Sequence, residues 1–503
     1  MNSIHVQNMN KKMELSNIFY YRSKKKKAYP IIQDLIIFID KYFRKSNLYQ
    51  KLFLDASEII NVPKSILEKR SKQIMFRSYQ FKEKKFTSGF KFFYIFVDYI
   101  KCLILVIFLV INYFIYRKAS PKKFDLICEN IYSSTDVKRH TLFAKKFKKI
   151  LFLGYSNLNV KNKNIFFLNI KKNSLNFVDL SLKNRILLLL FLHKVFFYSL
   201  FFRTNIFYIF RNIIYDYIKY KKIYSIYRGK YYFNNRFYDT NVLQNYLFKE
   251  NGGSKTSCFQ KNICILSLSC YIFTDIFFSL GKNQGKICNR LGGEIKSFIP
   301  VGSFYMESSW FKQKNDLKKI PNIDVLIIGI NAPWPRGCIN NDFHNSYYNK
   351  FLPWIKRLSY DFPEMNFYYK HHNYFKGDSR EKDILADSNI NIIVNDQSLN
   401  STYGWAFKSQ IVLSFASTMI VELLGNKKIS YFIDPDGIND QWFYGIKNLK
   451  KYRIKTYNSL KKLIQFKKKV TIKVNTPNYY CLSSKNTVKK ISNFLKKNEN
   501  YTN

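Results

Sequence analysis

From residue 324 to residue 433 short apolar runs alternate with helical segments, and that rhythm confines the chain to one class of fold. The runs at 323–330 (IDVLIIGI), 366–370, 391–394, 411–414 and 429–433 have the length and composition of buried strands. Between them, 346–360, 378–386, 400–408 and 418–424 read as helices, the first closed by Pro363 and the last ended by Gly425. Alternating β and α elements of this size predict a parallel, doubly wound sheet. A similar rhythm starts after Pro121, with strands at 125–128, 149–154 and 164–170, a long apolar helix at 185–202, and further elements at 255–259, 263–268 and 275–280. The expected class is therefore α/β, with two Rossmann-like domains, joined near 303–321, and a cleft between them. Expected boundaries are 1–118 for an N-terminal extension, 119–312 and 313–470 for the two domains, and 471–503 for a final segment. Its helix, 486–497, is expected to fold back across the junction. Ligands of such sheets bind outside the carboxyl ends of the strands.

Charge points elsewhere at first: 84 Lys+Arg against 33 Asp+Glu give +51 over 503 residues. The basic residues are mostly Lys and run the whole length instead of forming a stripe, in a chain rich in Asn, Ile, Tyr and Phe. That is compositional drift more than a nucleic-acid footprint, and no RNP- or OB-like aromatic pattern accompanies it. An anionic membrane surface is the partner the charge suits, since each nearby Lys or Arg contributes about 1 kcal/mol there. Segment 92–116 (FFYIFVDYIKCLILVIFLVINYFIY) carries only Asp98 and Lys101 as charges, so a monotopic or re-entrant helix, a true span and a buried core helix all compete. Eight cysteines show neither C-x-x-C nor a zinc-type His pair, which fits a reducing cytoplasm, and the first thirty residues lack a signal-peptide apolar region.

Chemistry gathers at two predicted strand ends. In 412–435 (VLSFASTMIVELLGNKKISYFIDP) a strand ending at Ser414 leads through a small-residue turn into a helix starting at Ser417 and Thr418. Free N–H groups and the helix dipole make an anion site there, and the two hydroxyls add donors for a diphosphate. Glu422, one turn on, reaches toward a ribose; an ordinary cap with a surface Glu is the competing reading. At the other strand end, Lys370, His371 and His372 offer a cation and imidazoles to neutralise a departing phosphate. Two tempting motifs are discounted. The stretch 281–286 (GKNQGK) has the wrong spacing for a phosphate loop. Asp434-Pro435-Asp436 is the usual content of a turn after a strand. No metal and no cofactor are expected.

The order strand-His-His, then S-x-x-S-T-x-x-x-E, then strand-Asp-Pro resembles bacterial surface-carbohydrate biosynthesis glycosyltransferases of the GT-B fold. It is similar, more distantly, to CDP-glycerol glycerophosphotransferases and bacterial polysialyltransferases. In those families a K-x-H-P motif and a Ser/Thr-rich motif hold the nucleotide phosphates. Lys370 and His372 match the first, with Asn373 in place of the proline; Ser414, Ser417, Thr418 and Glu422 match the second. Segments 275–281 (DIFFSLG), 291–293 (LGG) and 300–303 (PVGS) resemble the passage between the two domains. The likeness covers roughly 230–440. It implies a metal-independent glycosyltransferase that moves a sugar from a nucleotide-activated donor to a lipid-linked or membrane-presented glycan acceptor. The expected location is the cytoplasmic face of the bacterial inner membrane. It further implies catalytic roles for His372 and Asp239, the latter deprotonating an acceptor hydroxyl, with Thr240 and Gln260 on the acceptor side; a turn-capping role for Asp239 competes. An alditol-phosphate transferase and a non-catalytic scaffold of the same fold are the alternatives.

Overall fold

The computed structural model describes residues 28–44, 46–80, 92–115, 120–160, 162–170, 180–203, 206–282, 284–311, 320–330, 341–371, 379–393, 401–438, 449–467 and 477–497. Two parallel sheets organise them. The first contains β1 (Lys122–Ile131), β2 (Ile150–Gly154), β3 (Ile165–Asn169), β4 (Tyr227–Asn234), β5 (Lys255–Phe259), β6 (Phe273–Ser279) and β7 (Glu294–Pro300), in the order β3-β2-β1-β4-β5-β6-β7. The second contains β8 (Ile323–Ile328), β9 (Phe367–Lys370), β10 (Ile390–Ile393), β11 (Ser409–Ser414), β12 (Ser430–Ile433) and β13 (Arg453–Ile454), in the order β10-β9-β8-β11-β12-β13. All pairings are parallel. Central strands such as ILFLG in β2 and SYFI in β12 are buried throughout, as a sheet covered on both faces requires.

Helices supply those covers. One face of the first sheet packs on a helical layer built from the Leu182–Phe201 and Ile206–Ile226 helices. Ala28–Arg44, Asn47–Ile60, Lys64–Gln80 and Phe92–Ile115 lie around them in the same apolar cluster. One face of the second sheet packs on Leu352–Asp361 and Tyr457–Lys467. The remaining two faces share a single apolar cluster. Leu126, Phe233 and Phe278 of the first sheet and Leu326, Val412 and Phe432 of the second belong to it, with Tyr480, Cys481, Ile491 and Leu495 from the chain's end. The halves are thus joined through continuous core, not through a bare linker.

The C-terminal stretch contacts both halves. Cys481 packs against Gly425, where any Cβ would lie 2.3 Å from that cysteine, and Tyr480 meets Tyr452 edge to face. Thr487–Lys496 then packs on the first sheet, with Phe494 edge-on to Phe278 and the Lys496 ammonium bonded to the Lys146 carbonyl at 2.5 Å. Segment 263–268, expected to continue the alternation, holds no strand; only a short helical turn, Leu266–Leu268, forms there. Its apolar side chains Cys264 and Leu266 serve the helical-layer core instead of pairing with a sheet edge.

Candidate functional site

In each sheet the chain builds outward on one side of a central strand and then returns to its other side. From β1 it proceeds to β2 and β3, then back to β4; from β8 it proceeds to β9 and β10, then back to β11. Loops leaving the carboxyl ends of such neighbours diverge, and the gap between them is where open α/β sheets bind ligands. The carboxyl ends of the two sheets meet: the Ile263 amide, in the stretch after β5, donates at 3.2 Å to Thr418 Oγ1, at the start of the helix after β11.

On the second-sheet side, Ser417 is the N-cap of the Thr418–Gly425 helix, its Oγ accepting from the Met419 N–H at 3.3 Å. Ser417 and Thr418 are half-buried, and each accepts a bond while keeping its own hydroxyl hydrogen to donate. The first-turn amides of Met419 and Ile420 are themselves bonded to Ser417, so what the helix start offers is chiefly its two hydroxyls and its dipole. At the end of β9, separated from β11 by β8, His371 is buried, its Nδ1 bonded to the buried Glu381 carboxylate. Glu381 also accepts from the Tyr347 hydroxyl at 2.6 Å, which contacts the Tyr369 hydroxyl at 2.6 Å. A carboxylate on Nδ1 fixes the ring plane and leaves Nε2 for a ligand; that atom has no partner among the described residues. Lys370 is fully buried at the same strand end. His372, the expected catalytic imidazole, lies outside the described residues.

Two residues expected to contact the donor are committed to structure. Ser414 is fully buried and its hydroxyl donates to the Ile328 carbonyl at 2.9 Å, tying β11 to β8. Glu422, expected to reach a ribose, is instead turned into the junction. Its carboxylate accepts from the Ser303 hydroxyl and, at 2.8 Å, from the Tyr403 hydroxyl. Burial pushes its carboxyl up to about 7, against the opposing effect of those two bonds and of Arg139. Helical spacing placed Glu422 near Thr418 but could not say that the intervening turn directs it inward.

On the first-sheet side, Asp239 and Thr240 follow β4. Asp239 sits 3.9 Å from Arg236, with 34% of its side-chain surface open. Its carboxyl is raised by burial, an effect moderated by Arg77, Arg236 and Lys261. Gln260 does not face a ligand. Its amide donates to Gln284 and its oxygen accepts from the Leu280 N–H at 3.0 Å, so it braces β5 against β6. Sequence reasoning missed Arg139, Arg236, Lys261 and Tyr305. Arg139 lies 4.7 Å and Lys261 5.5 Å from the Tyr305 ring, and Arg236 lies 4.3 Å from the Tyr132 ring. The one local signal was the i, i+3 spacing of Arg236 and Asp239.

The discounted motifs have structural uses. Asp434, fully buried, is held by the Arg453 guanidinium and accepts from the Ile438 N–H at 2.9 Å; Asp436 pairs with Lys350. The glycine-rich 281–286 stretch receives the chain's end, Gln284 donating to the Tyr479 carbonyl at 2.9 Å. Among the described residues no group of three or more His, Cys, Asp or Glu side chains is placed to share a metal.

Two doubly wound parallel sheets facing each other, with the chain's end returning to the first, define the architecture. It is a GT-B fold. No family model matches the sequence, and no curated protein does either. Among solved structures, the chain aligns with the wall teichoic acid polymerase TagF at 10% identity, over 81% of this chain and 97% of that one, TM-score 0.46. A UDP-GlcNAc 2-epimerase from Neisseria meningitidis, bound to UDP-GlcNAc, aligns at 13% identity over 75% and 100%, TM-score 0.44. MurG from Acinetobacter baumannii aligns at 10% identity over 75% and 100%, TM-score 0.37. At this similarity the comparisons add nothing to what the chain's own topology and side chains say about its chemistry.

Proposed function

We propose that the protein transfers a sugar from a nucleotide-activated donor to an acceptor presented at a membrane. The observation that carries this reading is the contact between the carboxyl ends of the two sheets at Ile263 and Thr418. A bisubstrate transfer needs two sites opening on one water-poor cleft, with the leaving group's charge stabilised on one wall and the acceptor held on the other. The second wall carries Ser417, Thr418 and the helix N-terminus for the diphosphate, with His371 aimed by Glu381 at the end of β9. On the first wall, Asp239 is the carboxylate available to take the acceptor proton.

The membrane part of the reading rests on Phe92–Ile115. Ile95, Tyr99, Cys102, Val106 and Leu109 face the protein, whereas Phe93, Ile104, Phe108 and Ile111 stay exposed, so both sides of the helix are apolar. Asp98 is paired inward with Arg211 at 3.0 Å. Phe92–Ile111 and Leu182–Phe201 are each long and apolar enough to cross a bilayer. Because the first lies lengthwise on the protein, we place its outer face in the headgroup region, helped by the overall positive charge.

The test is a thermal-shift panel of UDP-, GDP-, CMP- and CDP-linked donors on detergent-solubilised full-length protein, since a ligand of the folded state raises its melting temperature. One donor class should stabilise the wild type and lose its effect in Thr418→Val. A shift from CDP-glycerol alone would move the assignment to alditol-phosphate transfer, and no shift from any donor would end the transferase reading.

A further inference from the structure

Buried polar atoms normally find partners, and those that do not mark a place where something else binds. Among the described residues such atoms concentrate beside the gap of the first sheet. Arg139 Nε, Asn234 Nδ2, Asn235 Oδ1, Arg236 Nε, Thr240 Oγ1 and the Tyr305 hydroxyl are all buried and without a hydrogen-bond partner. They follow β1, β4 and β7, so separate stretches of chain bring them together. Unmet donors outnumber unmet acceptors in this set, which favours a ligand group that only accepts.

Charge agrees with that count. Arg139 and Lys261 both lie against the Tyr305 ring, at 4.7 and 5.5 Å, and Arg236 lies within electrostatic reach of the same residue. Two acids stand among the three cations, Arg139 pairing with Asp136 at 3.7 Å and Arg236 with Asp239 at 3.9 Å, which leaves one of the three positive charges in excess. The other oxygen of Asp136 accepts from the Tyr132 N–H at 3.2 Å and the Ser133 hydroxyl at 3.1 Å. His140, on the same loop, adds no charge, because burial lowers its imidazole to about 4. Lys261 is lowered to about 8, first by burial and then by repulsion from Arg236. Three cations against two acids, with Arg139 Nε and Arg236 Nε still without a partner, leave a place for a further anion.

We propose that the gap beside β1 and β4 binds an anionic group, a phosphate or a carboxylate, gripped by Arg139, Arg236, Lys261 and the Tyr305 hydroxyl. The inference rests on the transferase reading only in taking this group to belong to the acceptor. Asn235 Oδ1 and Thr240 Oγ1 then meet the acceptor's hydroxyls, and Asp239 lies next to the proton to be removed. The same anion chemistry could come from a lipid-linked phosphate or from an acidic sugar.

Full-length protein is titrated calorimetrically with inorganic phosphate, farnesyl phosphate and glucuronate, each against wild type, Arg236→Gln, Lys261→Gln and Tyr305→Phe. Wild type should bind at least one. Each cation removed should weaken it by about tenfold or more, the loss typical of a charge-assisted hydrogen bond. Farnesyl phosphate much tighter than phosphate identifies a lipid-linked source; glucuronate tighter than phosphate identifies an acidic sugar. Tyr305→Phe guards against misfolding, since the lost hydroxyl has no partner within the fold. Its melting temperature should stay at the wild-type value while anion affinity falls. Unchanged anion affinity in all three variants overturns the proposal, as does loss of nucleotide-donor stabilisation with no anion bound, which would give these cations to the donor. Anion binding that survives while every donor fails the thermal-shift panel would leave this site standing and remove the transferase reading alone.

Discussion

Replacing Glu422 by Gln should change how stability depends on pH in a way no surface carboxylate would. In the folded protein this carboxyl releases its proton only near pH 7, because burial disfavours the charge more than the Ser303 and Tyr403 hydroxyls favour it. In the unfolded chain it ionises near the ordinary value of 4.5. Between those values folding takes up a proton, so the contribution is fully present below pH 4.5 and declines as pH rises to about 7. A separation of two to three units, at about 1.4 kcal/mol each, makes the decline about 3 kcal/mol. Gln keeps the shape and the capacity to accept from both hydroxyls but cannot ionise. Urea midpoints of wild type and Glu422→Gln should therefore be compared between pH 5 and pH 8 in the same salt. The wild-type value relative to the variant should fall by about 3 kcal/mol across the window. Other raised carboxyls, such as Glu129 and Asp239, contribute alike to both proteins and cancel. A difference that stays flat with pH would refute the assignment of a junction-buried, late-titrating carboxyl.

Asp434→Ala should cost about 3–5 kcal/mol in urea, because it strands the buried Arg453 guanidinium, whereas Asp434→Ala with Arg453→Leu should recover much of that loss. Glu381→Gln should lower kcat and displace its pH profile while leaving the donor's thermal shift intact, since it disturbs the aim of His371 and not the diphosphate contacts. Ile104→Ser with Phe108→Ser should reduce co-sedimentation with anionic vesicles by about tenfold or more, from the lost apolar transfer, at unchanged melting temperature; equal binding would dismiss that face as a membrane contact.

Strand-helix alternation was legible wherever strands were short, apolar and bounded by turn residues. Expected strands at 366–370, 391–394 and 411–414 meet the observed Phe367–Lys370, Ile390–Ile393 and Ser409–Ser414. β4 escaped notice because the Ile206–Ile226 helix runs straight into it with no turn signal, and because exposed Arg228 and Lys230 interrupt its apolar run. β7 was hidden by its charges and terminal proline, both tolerable because it is the sheet's edge. The capped helix start at Ser417 and Thr418 could be read because it is local: one strand end, one turn, one helix start. Arg139, Arg236, Lys261 and Tyr305 could not, because what unites them is the return of the chain to β4 beside β1, and strand order does not show in residue spacing. The sequence put the catalytic imidazole at His372, which lies outside the described residues; the Glu381 contact of His371 could not be foreseen, because Glu381 comes from another element.

Shared core has a consequence for how the protein is made. β7 ends at Pro300, but the first sheet's inner face is finished only by Thr487–Lys496, whose Phe494 and Leu495 cover it. Roughly 190 residues separate the two, so at ordinary translation rates of 5–20 residues per second the first half waits about 10–40 s for its last helix. Throughout that interval the side of Phe278 that Phe494 covers is open while the first sheet and its helical layer are already outside the ribosome. The Thr487–Lys496 helix is therefore the closing stone of the first domain, and a ribosome that stops short of it releases a half-built, adhesive protein.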